Sequence, residues 1–169
     1  MLGLKFKLFS GYILISLSMT ILFSNSNRDC PENFSINPQY PIVTPECYPS
    51  EFIHYSSTEI AFYLFESIHL NNHEIAQDDW VGAFKCNEWV NNECINFGNC
   101  IGARLWADCS EGQACDIPVL GIDGSEFTQG YITNGEIPAF KIYDTSNNAY
   151  VSAFSSENIS WSYLASPII

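Results

Sequence analysis

From Thr58 onward the apolar residues come in short runs broken by turn residues, and no stretch sustains a helical period. That pattern restricts the chain to strands joined by tight turns. Thr58 to Leu70 is the first such run. Ile60, Phe62 and Leu64 fall on one face and Ala61, Tyr63 and Phe65 on the other. Apolar residues on both faces predict a central strand between two layers. Asn71-Asn72 then predicts a turn. Trp80 to Phe84 and Cys100 to Trp106 each carry an apolar-Gly-Ala core, which predicts two paired strands. Gly82 and Gly102 at their centres would admit another backbone or a large ring. Ile117 to Ile122, Phe127 to Thr133, Ala139 to Tyr143 and Ala149 to Phe154 complete the strand set. Asn134-Gly135 is a strong turn signal, and Asp144 to Asn148 is read as the turn of a hairpin. The expected fold is all-β, an antiparallel β-sandwich of jelly-roll or Ig-like type over 58–163, with a tail at 164–169.

The N-terminus sets the compartment. Lys5 and Lys7 precede an apolar run from Leu8 to Phe23, and Ser24 and Ser26 stand at the −3 and −1 positions of a cleavage after Ser26. This predicts a signal peptide over 1–26. A retained anchor is the alternative, though the run is shorter than the roughly 20 residues that span a bilayer. The protein is therefore expected to be secreted or held at the cell surface. Residues 27–57 carry Pro31, Pro38, Pro41, Pro45 and Pro49 with no sustained period, and are read as an irregular lead-in to the sandwich.

Seven cysteines follow the leader, and in an oxidising compartment they are expected to pair. Local spacing favours Cys30 with Cys47, Cys86 with Cys94 and Cys109 with Cys115, leaving Cys100. Pairing of Cys94 or Cys86 with Cys100 remains open. No CxxC-like pair suggests zinc, and no histidine near Cys100 suggests a catalytic thiol.

Charge narrows the partners. Loss of Lys5 and Lys7 with the leader would leave four Lys and Arg residues against 19 acids, a net charge near −15. Such a surface repels nucleic acid and anionic membranes, so neither is expected as a partner beyond the signal segment. The acids at loop positions, Asp78, Asp79, Asp123 and Asp144, are the candidates for a calcium ion, which takes six to eight oxygen ligands. The competing reading is that they cap turns. Asp144 to Asn148 lacks the glycine and glutamate of an EF-hand loop. His69 and His73 are four apart but straddle a turn, and are read as surface residues.

Aromatic residues make up 15% of the chain. Trp80 and Trp106 are read as core. Trp89 is different, because Asn87, Glu88 and Asn91 surround one large ring with polar groups. These four residues are the candidate ligand site, with a sugar as the favoured ligand: rings stack on apolar sugar faces while amides and carboxylates take the hydroxyls. Asn33-Phe-Ser and Asn158-Ile-Ser fit the N-glycosylation pattern, which carries meaning only in a eukaryotic secretory pathway. No nucleophile elbow or phosphate-cradling loop is present. No acidic pair stands out from the 19 as a glycosidase couple.

The stretches Asp78-Asp79-Trp80-Val-Gly-Ala-Phe84, Cys100-Ile-Gly-Ala-Arg104, Ile117-Pro-Val-Leu-Gly121, Asp123-Gly124, Gly130-Tyr131 and Pro138-Ala-Phe-Lys-Ile-Tyr-Asp144 together resemble a module of large secreted proteins of marine bacteria. The resemblance spans roughly 58–163. It implies an extracellular β-sandwich with an accessory, adhesive or ligand-binding role, and supplies no catalytic set. Lys85 to Asn99 departs from it, where such modules have a tight turn, so the resemblance places specificity there. The expected function is non-catalytic binding or adhesion at an extracellular glycan or protein surface. The alternatives are a self-associating structural or fibre subunit and a small secreted hydrolase.

Overall fold

A computed structural model describes residues 29–38, 46–109 and 114–169. The expected signal peptide and part of the Pro-rich lead-in lie outside the described residues. The strands are β1 (Phe34–Ile36), β2 (Cys47–Pro49), β3 (Ile60–Phe65), β4 (His69–Leu70), β5 (His73–Glu74), β6 (Trp80–Val90), β7 (Glu93–Leu105), β8 (Cys115–Leu120), β9 (Pro138–Asp144) and β10 (Ala149–Ala153). All the strand pairs are antiparallel.

The main sheet has four strands in the order β10-β9-β6-β7. The expected pairing of the two Gly-Ala runs is its spine, with Gly82 opposite Ala103 and Ala83 opposite Gly102. The second layer is the β3–β8 pair. Between the layers lie Tyr63 of β3, Val81 of β6, Ile101 of β7, Ile117 and Val119 of β8, and Ile142 of β9, all buried. This is the β-sandwich that the alternating pattern predicts.

Three differences from the sequence reading have physical causes. Phe127 to Thr133 is not a strand: Glu126–Thr128 is a 3-10 turn, and only Ile132 bridges to Gly121. The Asp123 carboxylate takes the Ser125 amide and the Thr128 hydroxyl, folding the segment on itself and leaving Phe127 exposed. The tail at 164–169 is not outside the domain. The Phe62 and Leu64 amides donate to the Ala165 and Pro167 carbonyls, and the Ile169 amide donates to the Leu64 carbonyl. It therefore covers the edge of β3 that β8 leaves open, as backbone groups of a sheet require.

The lead-in also differs. It contains the β1–β2 hairpin, tied by the Cys30–Cys47 disulfide. It lies on the outer face of the main sheet and forms a second core there. Phe52, Phe84, Cys100, Ala103 and Tyr143 are its buried members, with Phe34, Tyr48 and Trp80 packed against them. Phe52 is fully buried, 5.6 Å from the Phe84 ring and 5.5 Å from Tyr150. Gly82 makes room for it: a Cβ there would stand 2.9 Å from the Phe52 ring. The ring that Gly82 was expected to admit is thus Phe52. Gly102 admits a backbone, the carbonyl of Pro118 in β8.

His54 ends this lead-in. It is buried, and its Nδ1–H donates to the Phe52 carbonyl at 2.9 Å. Burial lowers its pKa below the ordinary 6.5. The unfolded chain therefore takes up a proton before the folded one does. The contribution of neutral His54 to stability is complete above pH about 6.5 and is lost as the pH falls below it. Urea unfolding midpoints are expected to drop between pH 7 and pH 5. His54→Gln should flatten that part of the profile; an unchanged profile in the variant would exclude His54 as its source.

Candidate functional site

The disulfides Cys30–Cys47, Cys86–Cys94 and Cys109–Cys115 are formed, and Cys100 is free and buried. Burial pushes the Cys100 thiol up to about 12, so it stays protonated and unreactive at neutral pH.

β6 pairs with β9 only as far as Lys85 opposite Pro138. Beyond that point β6 and β7 continue alone as a two-stranded ribbon. The ribbon turns at Asn91 and Asn92, both with positive φ, 51° and 66°. Such a two-residue turn matches the twist of its flanking strands. Cys86–Cys94 clamps the ribbon near its tip. The ladder slips at four places between Ala83 and Trp89, and each slip bends the strand and redirects side chains. Lys85 to Asn99 is thus a structured hairpin extension.

A cleft of about 690 Å³ lies between this ribbon and the segment after β10. Trp89, Asn91, Asn92, Glu93 and Phe97 line it from the ribbon, and Phe154, Ser155, Ser156 and Asn158 from the other side. Phe154 is 67% exposed. Of the four residues expected to form the ligand site, Trp89 and Asn91 reach the cleft and Asn87 and Glu88 do not. Asn87 lies instead against Gly98, where a Cβ would stand 3.0 Å from its Nδ2. The slipped ladder separates these neighbours in sequence. Phe154 and Asn158 escaped the sequence reading because they lie more than sixty residues from Trp89 along the chain. Asn158 belongs to one of the two glycosylation patterns, so a glycan there would stand on the cleft.

The four carboxylates considered for calcium do not converge. Among the described residues no group of three or more His, Cys, Asp or Glu side chains is placed to hold an ion. Three of them organise turns instead. Asp79 accepts from the Ala76 amide at 2.8 Å and the Thr145 amide at 2.9 Å, tying the turn before β6 to the β9–β10 turn. Asp123 accepts from the Thr128 hydroxyl at 2.7 Å and from the Ser125 and Thr58 amides. These donors, Thr128 first, hold it well below the usual carboxylate range. Asp144 accepts from the Asn147 side chain and the Ser146 hydroxyl, which lower it likewise. Asp78 takes part through its backbone carbonyl, which accepts from the Thr145 hydroxyl.

Lys85, Arg104 and Lys141 are the lysines and arginines among the described residues, and each is paired, with Glu136, Asp116 and Glu51. None of them lines the cleft. No helix among the described residues is long and apolar enough to cross a membrane.

Fold and cleft together define a disulfide-stapled β-sandwich with an aromatic, uncharged-to-acidic groove at one end. Comparison with protein-family models, with curated proteins and with solved structures returned no match.

Proposed function

We propose that the protein is secreted and binds carbohydrate non-catalytically through the cleft between Trp89 and Phe154. The observation that carries this reading is the composition of that cleft. Two large rings, the exposed Phe154 and the half-buried Trp89, line the cleft together with asparagines and serines, in a volume of about 690 Å³. Rings of this kind stack on the apolar faces of sugars, and amides and hydroxyls exchange hydrogen bonds with sugar hydroxyls. The three disulfides suit an oxidising compartment. Among the described lining residues Glu93 is the one carboxylate, whereas glycoside hydrolysis ordinarily takes two.

A glycan array probed with the oxidised protein, with and without calcium, tests this reading. Trp89→Ala and Phe154→Ala are each expected to weaken the best hit by tenfold or more, the loss typical of a central aromatic contact. Asn87→Ala, outside the cleft, should leave it unchanged. No binding to any glycan, or binding that survives both truncations, would defeat the proposal.

The second reading is self-association. Among the described residues β10 is an edge of the main sheet, with β9 as its one neighbour there, and an open edge can accept another strand. Light scattering across a concentration series separates it from the first: a concentration-dependent oligomer without glycan binding would favour it.

A further inference from the structure

A second groove, of about 550 Å³, opens beside the first. It lies where the edge of the main sheet, at Val151 to Ala153, diverges from the end of β3 and the terminal Ile169. Its floor is the interior of the sandwich: Val81, Phe140 and Ile142, each no more than 3% exposed. Ile68 and Leu70 form its far wall. Phe140 and the run Ser152 to Ser156 line both grooves, so the two adjoin along that run, and together they are called the trough. One half is aromatic and amide-lined. The other is a mainly apolar slot, whose lining also includes Glu66, Ser67 and His69.

We infer that the trough takes an uncharged glycolipid, with the sugar against Trp89 and the alkyl chain in the slot floored by Val81, Phe140 and Ile142. The inference rests on the carbohydrate reading for its polar half. Charge selects among amphiphiles. The titratable side chains lining the trough are Glu66, Glu93 and His69, and no lysine or arginine is among the described lining residues. A phosphate or carboxylate head would meet no described lysine or arginine and a chain of net charge −13, so phospholipids and fatty acids fit poorly. A sugar head meets no such penalty. Both volumes fall within the range of about 300–1,000 Å³ common to small-molecule sites. An alkyl chain entering the slot would leave water for contact with apolar side chains such as Leu70, Val151 and Phe154, a gain proportional to the length buried.

The test is titration of the full disulfide-bonded protein with methyl, hexyl and octyl glycosides of glucose, galactose and N-acetylglucosamine, below their micelle concentrations. Affinity should rise at least tenfold from the methyl to the hexyl member; complete burial would give up to about fourfold per methylene. Ser67→Trp, at an exposed position on the slot, should abolish that increment and spare the methyl glycoside. Trp89→Ala should weaken every member and keep the increment. Sodium octanoate should bind at least tenfold less tightly than the octyl glycoside. Methyl glycosides that bind with no gain from chain length would overturn the slot assignment and leave the carbohydrate reading intact. A gain that survives Ser67→Trp would overturn it as well. Octyl glycosides that bind no better than 1,2-octanediol would remove the sugar from the trough, and with it the glycolipid.

Discussion

Gly102→Ala is expected to cost about 4 kcal/mol or more, the range of large core disruptions, and to leave little folded protein at 37 °C. Two causes act together. The residue has φ of 155°, in a region that side chains rarely adopt, and its Cβ would lie 1.9 Å from the Pro118 carbonyl oxygen. That oxygen belongs to β8, which packs across β7 at this point, so relief requires the two layers to separate. Flexible side chains can turn aside, but a paired backbone cannot. Gly124→Ala is the control. It has φ of 88° and nothing within 4 Å of the added Cβ, so it carries conformational strain alone. Its cost should be about 1–2 kcal/mol. Urea unfolding followed by tryptophan fluorescence measures both. Similar losses in the two variants would mean that the sandwich layers yield at Pro118 and that the close approach is soft.

Phe52→Ala is expected to destabilise by about 3–5 kcal/mol, the usual result of emptying a buried aromatic site. The ring is fully buried and joins Phe84, Tyr150 and the backbone of Gly82. Its loss also frees the lead-in, because Phe52 lies in the short turn that follows β2. Protease accessibility of residues 46–57 should rise before global unfolding. The partnership with Gly82 has its own signature. Gly82→Ala drives a methyl to 2.9 Å from the ring and should cost about 1–3 kcal/mol as overpacking. Combined with Phe52→Leu, which is smaller, the cost should fall short of the sum of the two single changes. Strict additivity would show that Gly82 and Phe52 do not share the space.

The strand core was legible because its signals are local. Val81-Gly-Ala-Phe84 and Ile101-Gly-Ala103 pair as their shared pattern suggests, and Asn71-Asn72 and Asp144 to Asn148 turn where their residues favour turning. The three disulfides join cysteines no more than 17 residues apart, and short loops close most readily. Phe127 to Thr133 misled because its strand-like pattern competes with Asp123, whose carboxylate holds the segment in a turn. A side chain two to five residues away outweighed the pattern of the segment itself. The lead-in misled because its aromatics, Phe34, Tyr48 and Phe52, follow no period; they meet only on the face of a sheet built by residues 80–153.

The candidate site divides in the same way. Trp89 and Asn91 stood out as a large ring among amides, which composition alone reveals. Phe154, Asn158 and the apolar slot have no such mark, since nothing near them in the chain says that they border the ribbon. Alone, therefore, the sequence determined the class: short strands, alternating faces, tight turns, locally paired cysteines and a strongly acidic chain. Only the tertiary structure decided which residues share the trough, that the carboxylates organise turns, and that both termini of the described chain pack against the sandwich. Periodicity and turn chemistry act over a few residues, and a sequence states them directly. Site geometry depends on slipped ladders and on layers that bring distant segments together, and those exist only once the sheets have packed.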